Sequence, residues 1–187
     1  KEYRENYLRI KVDNKNLDKI WFIADTHFEH KNIIKYSARP FTDVSTMNEF
    51  IIERWNEMIS NDDIVYVVGD FTKRNFEHYY NSLKGKKIFI QGNHDTAGIG
   101  VEKLELEFNN YKFLLIHEPY NLNFQDKWII HGHVHNNRLL EYPFINYKRK
   151  TINVGVDVTK FYPVNLKWIL DLIETKRSYL YLPSKLF

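Results

Sequence analysis

Ile64-Val65-Tyr66-Val67-Val68-Gly69-Asp70 and Ile88-Phe89-Ile90-Gln91-Gly92-Asn93-His94-Asp95 follow one rule. Each is a short run of β-branched and aromatic residues, then a glycine, then side chains able to bind a metal. Runs of this composition favour strands buried on one or both faces. Outward from these two, the same ending recurs. Lys19 to Ala24 leads into Asp25-Thr26-His27, Tyr111 to Ile116 into His117, and Trp128 to His131 into Gly132-His133-Val134-His135. Taken singly, each ending has an ordinary explanation: a carboxylate capping a turn, a half-buried histidine, an exposed His-x-His. Five strand ends that all present Asp, Asn or His are not explained that way. Strand ends in layered α/β folds bring distant residues onto one rim, where they can share metal ions. Alternation along an extended chain end would place Asp25 beside His27, and His133 beside His135, on one side.

The rest of the chain reads as one layered α/β domain over residues 1–187. Tyr7 to Val12 alternates, and a turn at Asp13-Asn14-Lys15-Asn16 is expected to pair it with Lys19 to Ala24. Leu104 to Phe108 and Tyr111 to Ile116 form a second expected hairpin, because Asn109-Asn110 tolerates the positive φ of a tight turn. Thr46-Met47-Asn48-Glu49 has capping-box spacing and opens a helix whose stripe is Met47, Phe50, Ile51, Trp55, Met58 and Ile59. Shorter helices are expected over Asn75 to Leu83 and Asn165 to Glu174, and Asn32 opens another. No insertion is large enough to form a lid or cap domain.

Composition narrows the chemistry. The chain has no cysteine, which excludes disulfides, thiolate metal sites and cysteine nucleophiles. Any metal must sit on nitrogen and oxygen donors. A formal charge of +3 permits an anionic substrate without marking a nucleic-acid footprint. No apolar run approaches a membrane span, and Lys1 to Val12 is charged, without a signal-peptide core. A cytoplasmic location is therefore expected.

The ordered set Asp25-x-His27, Gly69-Asp70, Gly92-Asn93-His94-Asp95, His117 and Gly132-His133-x-His135 resembles the calcineurin-like metallophosphoesterase superfamily. Asp25-Thr26-His27-Phe28-Glu29-His30-Lys31-Asn32 with Arg39-Pro40-Phe41 is similar, more narrowly, to its small bacterial and phage phosphohydrolases. One departure is Phe71-Thr72, where many relatives carry a second acidic residue. The resemblance implies a four-layer α/β/β/α sandwich and two divalent metal ions, manganese first, with iron, zinc or nickel as alternatives. It implies that Asp25, His27 and His135 hold one ion, that Asn93, His117 and His133 hold the other, and that Asp70 bridges them. It gives His94 the scissile phosphate or the leaving oxygen, and Asp95 the task of orienting His94. The implied reaction is attack by metal-bound hydroxide on a phosphodiester or nucleotide-type substrate, a nucleic acid included. A phosphomonoesterase and a non-catalytic metal-binding scaffold remain as alternatives.

Around the set, His30, Asn32 and Arg39 are candidate substrate contacts, Arg39 because a guanidinium forks phosphate oxygens; a helix-capping Asn32 and an ion-paired surface Arg39 are the equal alternative. His131 and His78 read as structural. The aromatics Tyr142, Phe144, Phe161 and Tyr162 suit base stacking, a dimer contact or a core.

Overall fold

The computed structural model describes residues 7–122 and 126–186. Two sheets pack face to face. The smaller is built from β2 (Ile20–Ile23), β3 (Ile64–Val68), β4 (Lys86–Ile90) and β10 (Val164–Asn165), in the order β10-β2-β3-β4. The larger contains β1 (Leu8–Lys11), β5 (Lys103–Phe108), β6 (Tyr111–Ile116), β7 (Trp128–His131), β8 (Ile145–Asn146) and β9 (Thr151–Asn153), in the order β1-β5-β6-β7-β9-β8. Helices α1 (Lys31–Tyr36), α2 (Val44–Met58), α3 (Phe76–Ser82) and α4 (Leu166–Glu174) flank the sheets. No cap domain is present among the described residues, and no described helix is long and apolar enough to cross a membrane.

Strand alternation divides the core in two. Phe22, Tyr66, Val68 and Ile90 face Leu104, Leu106, Phe113, Leu115, Ile130 and Ile152 of the other sheet. The intervening residues Trp21, Ile23, Val65 and Val67 turn outward, onto Ile33 of α1, Met47, Ile51 and Trp55 of α2, and Tyr79 of α3. Strands buried on both faces read as continuous apolar runs, as β2 and β3 do. The contacts of α2 recur every fourth residue, the period of one helical face. Tyr142, Phe144 and Phe161 are buried, so they serve the core and are closed to base stacking.

Two local expectations fail for physical reasons. Helix α2 begins at Val44, with Asp43 as its cap: the Asp43 carboxylate accepts from Thr46 N at 2.8 Å. Thr46 thus lies inside the first turn. The first expected hairpin does not form. Asn14–Lys19 is a 3₁₀ helix, and β1 runs parallel to β5 in the other sheet. Both edges of β2 are taken, by β3 and by β10, whereas the largely exposed β1 suits a sheet edge. The second hairpin forms as expected, with Asn109 at φ 49°. Of the charged run Lys1 to Val12, residues 1–6 lie outside the described residues.

Candidate metal centre

The parallel order within each sheet carries the ligand-type residues to one rim. β2, β3 and β4 run parallel, as do β6, β7 and β9. The two rims are joined where Ala24 N donates to Val154 O at 3.0 Å and Val156 N to Ala24 O at 3.1 Å. At this seam Asp25, His27 and His135 each offer a donor atom, all within 4.8 Å of one another, and Asp70, His117 and His133 form a second such group. Asp70 Oδ2 stands between the groups, 3.5 Å from His27 Nε2 and 3.2 Å from His117 Nε2. Asn93 Oδ1 joins the second group, 2.9 Å from His117 Nε2 and 3.0 Å from His133 Nδ1. The structure therefore brings together all seven ligand-type residues read from the sequence.

The backbone that aims them is not extended, contrary to the alternation argument. Asp25, His27, Asp70, His133 and His135 have φ of 58°, 50°, 54°, 72° and 50°, in the left-handed region that costs a residue with a Cβ about 1–3 kcal/mol. Strain concentrated on ligand-type residues marks a site whose geometry the surrounding packing enforces. Glycines leave the room. A Cβ on Gly69, itself at φ +88°, would lie 2.1 Å from His117 Nδ1, and one on Gly132 would lie 2.8 Å from Asp25 Oδ2.

Electrostatics fits a cation on these donors. Burial drives the His27 imidazole down to about 2, and its Nε2 is buried with no hydrogen-bond partner. A neutral imidazole with an orphaned lone pair is a ligand in waiting. His117 goes the other way: burial pulls it down, but the Asp70 hydrogen bond and the charges of Asp25 and Asp70 raise it to about 9. Asp70 is pushed up by burial, yet the hydrogen bond and charge of His117 hold it below the usual carboxylate range. A cation held by this group would displace a proton from His117 on binding. Burial raises the Asp25 carboxyl, the penalty a bound cation relieves.

Two residues lie where the sequence reading did not put them. Asp95 does not reach the His94 ring. Its carboxylate accepts from Asp70 N at 2.9 Å, Phe71 N at 2.9 Å and Gly92 N at 2.8 Å, clamping two ligand-bearing turns together. A carboxylate beside several bare turn amides satisfies them before a ring on its own turn. Arg39 is buried and faces away from solvent, its guanidinium engaged by Asp157 and by the carbonyls of Asp25 and Thr26. It does not line the cleft, so it is not placed to fork a substrate phosphate.

The cleft above the rim has a volume of about 550 Å³ and is lined by His27, His30, Asn32, Tyr36, Lys73 and His94, among others. His94 is exposed there, its backbone N donating to Asp70 Oδ1 at 2.9 Å. His30 Nδ1 lies 3.2 Å from His27 Nδ1. Buried His131 and exposed His78 lie outside the cleft lining. Sequence reading missed Tyr36, 67% exposed at the mouth, as well as Lys73 and Asp157. For Asp157 a weaker signal existed: Thr151-Ile152-Asn153-Val154-Gly155-Val156-Asp157 also runs from an apolar stretch through a glycine to an aspartate, with one residue between them. Tyr36 and Lys73 carry no comparable signal, since only the fold brings them to the cleft.

A two-sheet α/β domain with two His/Asp donor groups on its strand-end rim defines a metallohydrolase-type centre. Residues 19–156 match the calcineurin-like phosphoesterase superfamily domain, and the chain belongs to that superfamily. Members of that superfamily typically bind divalent metals, and the two donor groups are candidate sites for them. An uncharacterized protein of Methanocaldococcus jannaschii is 49% identical over 168 residues, covering 85% of this chain and 93% of that protein. The gene 66 protein of Mycobacterium phage L5 is 24% identical over 181 residues, covering 73% and 86%. The crystal structure of a protein of unknown function from Aquifex aeolicus superposes with a TM-score of 0.66 at 26% identity, over 82% of this chain and 98% of that one.

Proposed function

We propose that the chain is a dinuclear metal-dependent phosphoesterase acting on a phosphodiester or nucleotide-type substrate. The observation that carries this reading is the position of Asp70 Oδ2 between His27 Nε2 and His117 Nε2. A carboxylate so placed can serve two cations at once, with Asp25, His27 and His135 completing one ligand set and Asn93, His117 and His133 the other. Two divalent ions, manganese first, would neutralise phosphoryl oxygens and supply an ionised water at neutral pH. The chain does the rest. His94, on the exposed turn, is placed to meet the phosphate or to give a proton to the leaving oxygen. His30, Asn32 and Lys73 line the same cleft and offer donors and positive charge to the phosphate and its substituent. Tyr36 offers a planar apolar face at the mouth, suited to a nucleoside. The absence of a cap domain among the described residues favours a diester, whose phosphate carries a substituent on each side and needs an open site to accommodate both.

The test is manganese-stimulated hydrolysis of a chromogenic phosphodiester beside the matching monoester. The expected result is preference for the diester, with Asp70→Asn reducing turnover on the order of 10³-fold or more, the scale on which a group shared by the whole machinery fails. Preference for the monoester would overturn the substrate assignment. No metal-dependent turnover on either, with ions bound, would favour a non-catalytic metal-binding scaffold.

A further inference from the structure

Arg39 and Asp157 form a two-pronged ion pair, Nε to Oδ1 at 3.0 Å and Nη2 to Oδ2 at 3.1 Å, although they lie 118 positions apart. Their side chains are 0% and 2% exposed. Burying two charges is costly unless every donor and acceptor is used, and as a source of stability alone such a pair does no better than well-packed apolar residues. What this pair touches is more specific. Arg39 Nη2 donates to Asp25 O at 2.6 Å and Nη1 to Thr26 O at 3.0 Å, while Asp157 Oδ2 takes His135 Nδ1 at 2.7 Å. Asp25, the peptide leading into His27, and His135 together make up the first ligand group. Asn153 adds a bond from its Nδ2 to His135 O at 3.0 Å.

We propose that Arg39 and Asp157 are a positioning pair that builds the first metal site and does not reach the second. The inference rests on the two-ion reading above. Asp157 fixes the Nδ1–H tautomer of His135, leaving Nε2 as the donor, and sets the ring plane. Arg39 holds two consecutive carbonyls of the Asp25–His27 turn, so that this left-handed turn keeps its shape before any ion arrives. The second group has no buried ion pair behind its histidines; its turns are held instead by Asp95, which accepts from Asp70 N and Gly92 N, and by Asp25, which accepts from His133 N at 2.9 Å. His117 Nδ1 meets only the backbone carbonyl of Val68, at 2.8 Å, and His133 and His117 lean on Asn93, itself a donor.

The experiment is a manganese titration of the full chain, read by calorimetry and by the spin-coupled signal of an ion pair, with circular dichroism to check folding. His135→Ala and His117→Ala provide reference patterns for damage to the first and second groups. The principal variant is Arg39→Met with Asp157→Leu, which removes both charges together and so avoids leaving one buried alone. It is expected to bind one ion as wild type does and the other about 10–100-fold more weakly, losing the coupled signal and following the His135→Ala pattern. Asp157→Asn, which keeps an acceptor for His135, should fall between this variant and wild type. Two ions at wild-type affinity in the double variant, or equal weakening at both sites, would overturn the proposal. If the double variant does not fold, Arg39→Lys, which keeps the charge and loses the fork, is judged by the same two patterns. A wild type that binds only one ion overturns the dinuclear reading, and the pair then stands or falls on that ion alone.

Discussion

The two ligand groups share Asp70 but are built differently. Asp25 and His27 are buried, and the Arg39–Asp157 pair and the Asn153 amide hold the first group from behind. Each group has two buried residues and one half-buried histidine, but the second adds the exposed Asn93, on which His117 and His133 lean, and has the Asp95 carboxylate on its turns in place of an ion pair behind its histidines. The contrast teaches that a rim of similar residues can hold one preorganised site and one that its ion must complete. Preorganisation lowers the cost of binding because ordering is done during folding.

Three changes sharpen or break the contrast, in falling order of effect. His94 belongs to the cleft and to neither ligand group. His94→Ala should therefore cut hydrolysis about 10²–10³-fold with bound manganese unchanged by elemental analysis; loss of an ion would tie His94 to the ligand architecture instead. Gly69→Ala should strike the second group first, because the added Cβ falls 2.1 Å from His117 Nδ1 and 2.9 Å from Gly92 Cα, at φ +88°. A loss of about 3 kcal/mol or more in denaturant unfolding is expected, with the weaker ion lost first. Equal loss at both sites would erase the distinction.

The smallest effect lies away from the rim. Glu105 on β5 is buried, bonded to Lys127 Nζ at 2.9 Å and to the Tyr7 hydroxyl at 3.1 Å. Burial pushes its carboxyl up, but the bond and charge of Lys127 and the Tyr7 bond hold it below the usual carboxylate range. A depressed folded value gives stability that is present above the ordinary carboxylate pKa and lost as pH falls through the folded one. Glu105→Gln should cost about 1.5–3 kcal/mol at neutral pH, flatten the acid limb of the stability–pH curve, and leave both ions in place. Altered ion binding would show that the framework and the rim are coupled.

Much of the site was legible because its residues sit at fixed offsets from strand ends. Gly69-Asp70 and Gly132-His133-Val134-His135 announce themselves by a continuous apolar run followed by a residue type that a turn alone does not need. Arg39 was misread for a related reason. A guanidinium near a ligand motif suits a phosphate, and nothing local tells it that a carboxylate far along the chain already fills its fork. Asp95 shows the same blindness at shorter range: two of the three amides it clamps, those of Asp70 and Phe71, belong to a different strand end. The failed β1–β2 hairpin adds the topological version, since local turn chemistry cannot know that both edges of β2 are occupied.

By itself, then, the sequence determined the strand ends, the nitrogen and oxygen donors they carry, and the absence of any thiolate alternative. Those follow from local periodicity and side-chain chemistry. Only the tertiary structure decided which donors share a group, where Asp70 stands between them, and that Arg39 and Asp157 face inward behind one group and not the other. Such facts depend on which strands become neighbours across two sheets, a choice made by burial of whole faces and by competition for sheet edges.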